Sequence, residues 1–172
     1  MKQALICLFT IIILLSTKTV AQQQKTKLQI PLGGNSWVTV KSKLGDEKVT
    51  DKGWKNWQDG DAVFSTYIRI QKSGTLELAA VLNVLSGEST LQWTINGISK
   101  TIRVSGTSGK EYAIGEWNIA QPGYVKIDAQ GISKTGNLFA EISDLQIEGT
   151  AIDDETAFVK NNEGNYFYWG RR

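Results

Sequence analysis

The sequence predicts an all-β fold, a jelly-roll-like antiparallel β-sandwich formed by a single domain after a signal peptide. Three observations support this prediction. Short segments alternate apolar and polar residues with the period of two that half-buried strands show. Turn-forming pairs such as Asn96-Gly97 and Pro122-Gly123 separate these segments. Apart from a weak pattern at 153–159, no stretch repeats its apolar residues with the 3.6-residue period of a helix.

The first 21 residues are organised like a secretory signal peptide. Lys2 precedes an apolar run at 5–15, and Thr19-Val20-Ala21 places small residues before a cleavage point at Gln22. The run is shorter than the roughly 20 apolar residues of a membrane span, so we expect no span after signal cleavage. An uncleaved anchor is the alternative. The sequence therefore predicts a protein that is secreted, or held in the periplasm or at the cell surface.

The composition of the mature chain excludes several kinds of chemistry. Removing the first 21 of the 172 residues leaves 151 residues without cysteine or methionine, and the sequence contains no histidine. Thiol nucleophiles, His-dependent triads and zinc sites are therefore excluded. Lys2 and Lys18 lie in the leader, so 17 basic and 17 acidic residues remain. This balance argues against a nucleic-acid partner, which calls for a basic stripe.

Two strands are predicted at 62–70 and 75–85, joined by a turn at Ser73-Gly74. The first places Phe64 and two isoleucines on one face. The second alternates leucines from Leu76 onwards and is also apolar on much of its other face. We therefore expect it in the interior of a sheet.

The clearest hairpin joins residues 91–95 to residues 98–104. Asn96-Gly97 suits a two-residue type I′ turn, because both central residues adopt positive φ at little cost. This register places Trp93 opposite Lys100 and on the apolar face. The prediction is that Trp93 belongs to the core.

The later strands are predicted at 112–119, 124–130 and 138–148. Trp117 alternates with apolar residues and is expected in the core. In the last segment the apolar residues change parity, which predicts a β-bulge near Ser143-Asp144. We assign residues 22–152 to the sandwich and residues 153–172 to a C-terminal segment.

The C-terminal segment ends in an unusually aromatic stretch, Tyr166-Phe167-Tyr168-Trp169, followed by Gly170 and two arginines. It reads as the start of a truncated second domain. The alternative is that it pairs as a final strand and closes a sheet.

The segment 53–61 has the composition of a carbohydrate-binding site. Such sites combine aromatic rings, which stack on the C–H faces of sugars, with polar side chains that bond their hydroxyls. Trp54 and Trp57 lie three residues apart in a predicted loop and are hard to bury together. The alternative is that one of them, Trp57 before Trp54, closes the end of the core. Asn56 and Asp59 are the polar candidates.

Asp59 also flanks Gly60 together with Asp61, and two carboxylates in a loop are potential calcium ligands. Turn formation explains the same Asp-Gly-Asp sequence. We therefore assign no cofactor and keep calcium as the alternative.

A resemblance to a known family covers nearly all of the mature chain. The chain resembles the domain of unknown function 5077 family of secreted bacterial proteins. The residues that carry this match are Pro31–Asn35, Asn56-Trp57, Phe64–Tyr67, Gly123–Asp128, Gly131–Gly136 and Ala140–Leu145. In that family the domain usually precedes a domain of unknown function 3472, whose opening residues resemble Tyr166–Arg172. The resemblance implies a longer architecture with a C-terminal partner domain.

A weaker resemblance, over roughly residues 57–147, is to carbohydrate-binding module families 6 and 35. It is carried by Trp57, Tyr67, Ser73–Leu76, Asn96-Gly97, Thr107–Gly109 and Pro122–Val125. It implies a sugar site in the apical loops, with an asparagine before the last strand that corresponds to Asn137. Those families place a stacking aromatic after the Thr-Ser-Gly turn. Here Lys110 holds that position, and Tyr112 follows two residues later.

These observations predict a secreted, non-catalytic module that binds a polysaccharide or another glycan. Trp54 would stack on the sugar with help from Tyr112, while Asn56, Asp59 and Asn137 bond its hydroxyls. One alternative is a structural adaptor that packs against a C-terminal domain. A more distant one is a glycosidase that uses two of Glu77, Asp128 and Glu141.

Overall fold

A computed structural model describes residues 26–159, so the predicted leader and the aromatic tail lie outside the described residues. Twelve strands and no helix occur within this range, and it therefore contains no helix able to cross a membrane. The strands are β1 (Leu28–Pro31), β2 (Ser36–Val40), β3 (Lys48–Thr50), β4 (Gly53–Lys55), β5 (Val63–Ile70), β6 (Gly74–Asn83), β7 (Glu88–Ile95), β8 (Ile98–Ser105), β9 (Lys110–Ile119), β10 (Gly123–Lys134), β11 (Glu141–Glu148) and β12 (Ala157–Phe158). The all-β prediction is confirmed.

The strands form two six-stranded antiparallel sheets that enclose one core. The first sheet has the order β3-β4-β11-β6-β9, with β1 also paired to β11. The second sheet has the order β12-β5-β10-β7-β8, with β2 also paired to β5. β6 lies between β11 and β9, as its apolar composition predicts. The arrangement is the predicted antiparallel sandwich.

The hairpin formed by β7 and β8 has the predicted register. Trp93 pairs with Lys100, and Ile95 pairs with Ile98 across the turn. Asn96 and Gly97 have φ angles of 51° and 77°, as a type I′ turn requires. Trp93 is fully buried, which confirms its place in the core, whereas Ile98 is more than half exposed.

The parity change near the end of the sandwich also has the predicted cause. The pairing of β11 with β6 shifts register between Ile142 and Asp144, so Ser143 is the extra residue of a bulge. Both Ile142 and Leu145 point into the core as a result. A single inserted residue reconciles an apolar pattern that a regular strand would split between two faces.

The weak indication of a helix at 153–159 is wrong, because these residues form a turn and the short strand β12. Asp153 accepts the backbone N–H of Glu155 through Oδ1 and that of Thr156 through its carbonyl oxygen, which closes a turn. Ala157 and Phe158 then pair with Arg69 and Ile68 of β5. The turn chemistry of Asp153 directs the chain back to the sheet edge before a helix is formed.

Candidate functional site

Four connections of the sandwich meet at one end, which we call the loop end. They are residues 56–62, 84–87, 106–109 and 135–140. The backbone N–H of Phe139 donates to the carbonyl oxygen of Trp57 at 2.8 Å, and Thr135 donates to that of Glu88 at 2.9 Å. Val84 donates to Gly106 at 2.7 Å. Backbone hydrogen bonds therefore hold the four connections against one another.

Three of the predicted polar residues lie at the loop end. Asn137 is exposed, while Asn56 and Asp59 are half-buried. The Phe139–Trp57 hydrogen bond and a hydrogen bond from the Gln130 side chain to the carbonyl oxygen of Gly60 join their two connections. The structure therefore places all three at one end of the sandwich. That they bond a sugar stays a prediction.

The prediction that Trp54 and Trp57 stack on a ligand is contradicted, because both side chains are completely buried. Trp54 stacks on Phe64 at 4.6 Å between ring centroids and on Trp93 at 5.8 Å. Trp57 meets Trp54 edge-on at 6.0 Å and also contacts Phe139 at 5.5 Å. The segment expected to be a loop begins with strand β4, and its tryptophans form the aromatic centre of the core.

Asn56 explains how two tryptophans three residues apart enter one core. In a regular strand, residues i and i+3 point to opposite faces. Asn56 has φ 58°, in the left-handed region, so the alternation is broken between Trp54 and Trp57. Asparagine tolerates this conformation better than most residues. Asn56 therefore has a clear structural role in the sandwich.

Burying both indoles carries an energetic cost. The Nε1 atoms of Trp54 and Trp57 are buried and have no hydrogen-bond partner. An unsatisfied buried donor costs about 1–3 kcal/mol. The ring contacts and the loss of apolar surface to the core offset this cost.

Tyr112 holds the two ends of the β8–β9 connection together, because it lies on β9 and bonds to the last residue of β8. Its hydroxyl donates to the carbonyl oxygen of Ser105, and its half-buried ring packs against the core. The Lys110 ammonium lies 5.3 Å from the ring centroid. These contacts hold the ring in place, and its participation in sugar binding stays a prediction.

Asp59 shapes the loop in which it lies. Its Oδ1 accepts the backbone N–H of Asp61 at 3.0 Å, which is the turn that the Asp-Gly-Asp sequence favours. Within residues 26–159, no three acidic, histidine or cysteine side chains are grouped so that they could hold a metal ion.

A small hollow that the sequence did not reveal opens on the outer face of the first sheet, beside the loop end. Lys55, Glu141 and Asn83 follow one another across β4, β11 and β6, and Gly109 continues the row. The hollow has a volume of about 40 Å³, more than the roughly 10–15 Å³ needed to admit a water-sized group.

The polar groups of the hollow are held in position. Lys55 and Glu141 form a hydrogen-bonded ion pair whose side chains are 28% and 20% exposed. The Oδ1 atom of Asn83 is buried and has no hydrogen-bond partner. A buried acceptor of this kind costs about 1–3 kcal/mol until a donor reaches it. Just beneath the surface of the hollow there is therefore an acceptor without a partner, beside a charged pair.

A larger groove of about 300 Å³ lies on the same outer face, away from the loop end. Glu148, Glu77 and Glu116 stand directly opposite one another on β11, β6 and β9. Small residues form much of the remaining lining, and the ion pair between Lys27 and Glu111 lies at this groove.

The structure separates the carboxylates considered for a glycosidase. Glu77 and Glu141 both lie on the outer face of the first sheet, on the adjacent strands β6 and β11. Glu141 pairs with Asn83, which is six residues along β6 from Glu77. Asp128 lies on the outer face of the second sheet, on the opposite side of the core. Asp128 therefore cannot act together with either glutamate on one glycosidic bond.

Sequence reasoning missed Trp37, the one tryptophan within residues 26–159 that is substantially exposed. It lies on β2 with 41% of its surface accessible and meets Tyr67 edge-on at 5.7 Å between ring centroids. The alternation in Ser36-Trp37-Val38-Thr39-Val40 was a usable signal, because it places Trp37 and Thr39 on the same face of an edge strand.

Residues 30–152 match the profile of a family described as a domain of unknown function, DUF5077. The match covers well over half of the chain. The chain belongs to the DUF5077 family. A search of curated proteins found no match.

Solved structures share the fold of this DUF5077 domain. The family 35 carbohydrate-binding module of Abf62 from Cellvibrio japonicus has a TM-score of 0.54 at 12% identity, over 77% of this chain and 97% of the module. A CBM36-1 domain of a multidomain xylanase, from the hindgut metagenome of Trinervitermes trinervoides, has a TM-score of 0.51 at 16% identity, over 74% and 100%.

A third similar structure is a GH26-CBM35 β-(1,4)-mannanase from Podospora anserina, with a TM-score of 0.56 at 13% identity. The match covers 75% of this chain but only 29% of the mannanase. At these identities the similarity shows the fold alone. The DUF5077 domain is thus a sandwich of the kind found in carbohydrate-binding modules.

Proposed function

We propose that this DUF5077 domain is an exported, non-catalytic module that binds a glycan at its loop end. The observation that carries the proposal is the hollow between β4, β11 and β6, where the Oδ1 atom of Asn83 is buried without a partner. Sugar hydroxyls are donors and acceptors of the size that such a hollow admits.

The ion pair beside Asn83 supplies the complementary groups. Glu141 accepts a hydrogen bond from one sugar hydroxyl and Lys55 donates a hydrogen bond to the oxygen of another, while the pair keeps the local charge balanced. Asn56 follows Lys55 in sequence. Gly109, which also lines the hollow, belongs to the β8–β9 connection, beside which Tyr112 bonds to Ser105. The predicted residues Asn56, Asp59 and Asn137 lie in the neighbouring connections of the loop end, and we include them in the proposed site.

The fold supports this reading. Two of the similar structures are named as CBM35 and CBM36 domains, the second from a xylanase, and the third is a mannanase whose name includes a CBM35. The leader predicted at residues 1–21 is consistent with a domain that meets polysaccharide outside the cytoplasm.

Isothermal titration calorimetry with soluble β-1,4-mannan and xylan oligosaccharides, together with a panel of host glycans, tests the proposal. We expect the wild-type protein to bind at least one of them. Glu141→Gln keeps the shape of the side chain but removes its charge, and should weaken binding about tenfold, the effect of losing a charge-assisted hydrogen bond.

Glu148→Gln is the matched control, since it removes the same charge from the same strand at the far end of β11. Its affinity should equal that of the wild type. Equal loss in both variants would show a general charge effect and refute the loop-end site. The absence of wild-type binding to every glycan of the panel would refute the function itself.

A further inference from the structure

The outer face of the second sheet carries an arrangement that the loop-end site does not use. Trp37 on β2 is 41% exposed, and Tyr67 on the adjacent β5 meets it edge-on at 5.7 Å and an interplanar angle of 63°. Contact with Tyr67 restricts the rotation of the indole. We call Trp37 and Tyr67 the aromatic platform.

Polar side chains continue from the platform across the sheet. Trp37 pairs with Ser65, Ser65 with Asp128, Asp128 with Thr94, and Thr94 with Ser99. Strands lie about 4.8 Å apart, so this row of five residues is about 19 Å long. Beyond the indole, every member is a hydroxyl or a carboxylate. Ser65 is fully buried, so the accessible members are Asp128, Thr94 and Ser99.

The row is organised before any ligand binds. The Ser65 hydroxyl donates to Asp128 Oδ1 and lies 2.6 Å from the hydroxyl of Thr39. Lys126 Nζ lies 3.0 Å from Asp128 Oδ2. Farther along, the hydroxyls of Thr94 and Ser99 are 2.8 Å apart. Side chains fixed in this way lose little further freedom when they bind a ligand.

The charge and size of this face identify the class of ligand. The carboxylate of Asp128 is balanced by Lys126, so the row attracts neither anions nor cations strongly. An indole with 41% exposure offers on the order of 100 Å² of aromatic surface. A stable protein–protein contact needs roughly 800 Å² per partner, much of it apolar at its centre. A neutral sugar ring fits the smaller aromatic area and uses the adjacent hydroxyls.

We infer that the aromatic platform and the accessible part of the row, from Asp128 to Ser99, form a second binding surface, which takes a neutral polysaccharide chain lying across the strands. A pyranose ring stacks on the exposed face of Trp37, and the following rings place their hydroxyls over Asp128 and Thr94. This inference rests on the proposed glycan-binding function but uses a different face of the sandwich. The two surfaces can therefore be disabled one at a time.

The experiment is a pull-down of the purified protein with insoluble neutral β-1,4-mannan, xylan and cellulose, followed by affinity measurements on the polysaccharide that retains it. Trp37→Ala should weaken binding about 10- to 100-fold, the effect of losing an aromatic contact of this size. Trp37→Phe should recover part of the affinity. Leu44→Ala, which removes another exposed apolar side chain, should bind like the wild type.

The outcomes separate this inference from the proposed function. Unchanged binding by Trp37→Ala, together with weaker binding by Glu141→Gln, overturns the second surface and leaves the loop-end site standing. Failure of the wild type to bind any polysaccharide or oligosaccharide overturns both. Light scattering gives the third result that would overturn the inference: a dimer of the wild type that Trp37→Ala abolishes would show that a second copy of the chain occupies the platform.

Discussion

Trp54 and Trp37 are the same residue type on two short strands near the start of the sandwich, but one is buried and the other is exposed. Trp54 lies on β4, pairs across to Ile142 and is fully buried between the sheets. Trp37 lies on β2 with its side chain on the outer face of the second sheet. The comparison shows that aromatic content alone does not mark a binding surface. The parity of the strand decides which tryptophan can meet a ligand.

The largest expected effect tests this contrast directly. Trp54→Ala should lower the free energy of unfolding by about 3–5 kcal/mol, because it leaves a cavity beside Phe64 and Trp93. Trp37→Ala should change it by less than about 1 kcal/mol. Urea denaturation followed by circular dichroism measures both values. Equal losses would contradict the assignment of the two residues to core and surface.

A smaller effect tests how β4 brings Trp54 inwards. Gly53 has φ 97°, and a Cβ atom there would lie 2.0 Å from the carbonyl oxygen of Ile142. Gly53→Ala should therefore cost about 3 kcal/mol. Gly45→Ala is the control, since Gly45 also has positive φ (65°) but no atom near its Cβ position, and should cost about 1 kcal/mol. Similar midpoints of urea unfolding for the two variants would show that the close approach of β4 to β11 is unimportant.

At the hollow beside the loop end, one substitution should raise the free energy of unfolding instead of lowering it. Asn83→Val replaces an unsatisfied acceptor by a residue that favours strands, so it should raise the free energy of unfolding by up to about 1 kcal/mol. The same variant should lose affinity for the glycan. Thermal unfolding and calorimetry on one preparation test both statements. A variant that is less stable and binds normally would show that the Asn83 amide serves the fold.

The smallest expected effect concerns Glu47, which is 5% exposed in the connection before β3. Burial raises the pKa of this carboxyl, but hydrogen bonds from the Ser42 hydroxyl and backbone N–H outweigh it and hold the pKa below its ordinary value of 4.5. A depressed pKa stabilises the fold above the ordinary value, and this contribution is lost as the pH falls through the folded-state pKa.

Glu47→Gln should therefore flatten the decline of the melting temperature below about pH 4.5. Glu155→Gln, at an exposed acidic position, is the control and should leave the decline unchanged. Identical pH profiles for the wild type and Glu47→Gln would contradict the role of the Ser42–Glu47 contacts.

The sequence predicts the strands from β5 onwards, where apolar and polar residues alternate clearly. It does not predict the structure of the first 30 residues of the sandwich, which contain β1 to β4. Alternation and the Asn96-Gly97 turn were sufficient for the register of β7 and β8, and the parity change near Ser143 was sufficient for the bulge. β4 has only three residues, too few for a period to show. The left-handed backbone at Asn56 then reverses the parity expected for Trp57.

The parts of the candidate site also differ in how far they could be predicted from the sequence. The sequence named Asn56, Asp59 and Asn137 as polar candidates, but only the structure shows that their connections lie at the same end of the sandwich. The hollow around Asn83 depends on which residues of β4, β11 and β6 stand opposite one another, and Lys55 pairs with Glu141 across 86 residues of sequence. Such long-range neighbours require the register of all three strands.

The most direct test of glycan binding is affinity electrophoresis in gels that contain neutral β-1,4-mannan or xylan. We predict that at least one polysaccharide retards the wild-type protein, and that the double variant Asn83→Ala/Trp37→Ala migrates there as it does in a gel without polysaccharide. Wild-type migration that is the same in every gel, or retardation of the double variant equal to that of the wild type, would contradict the account.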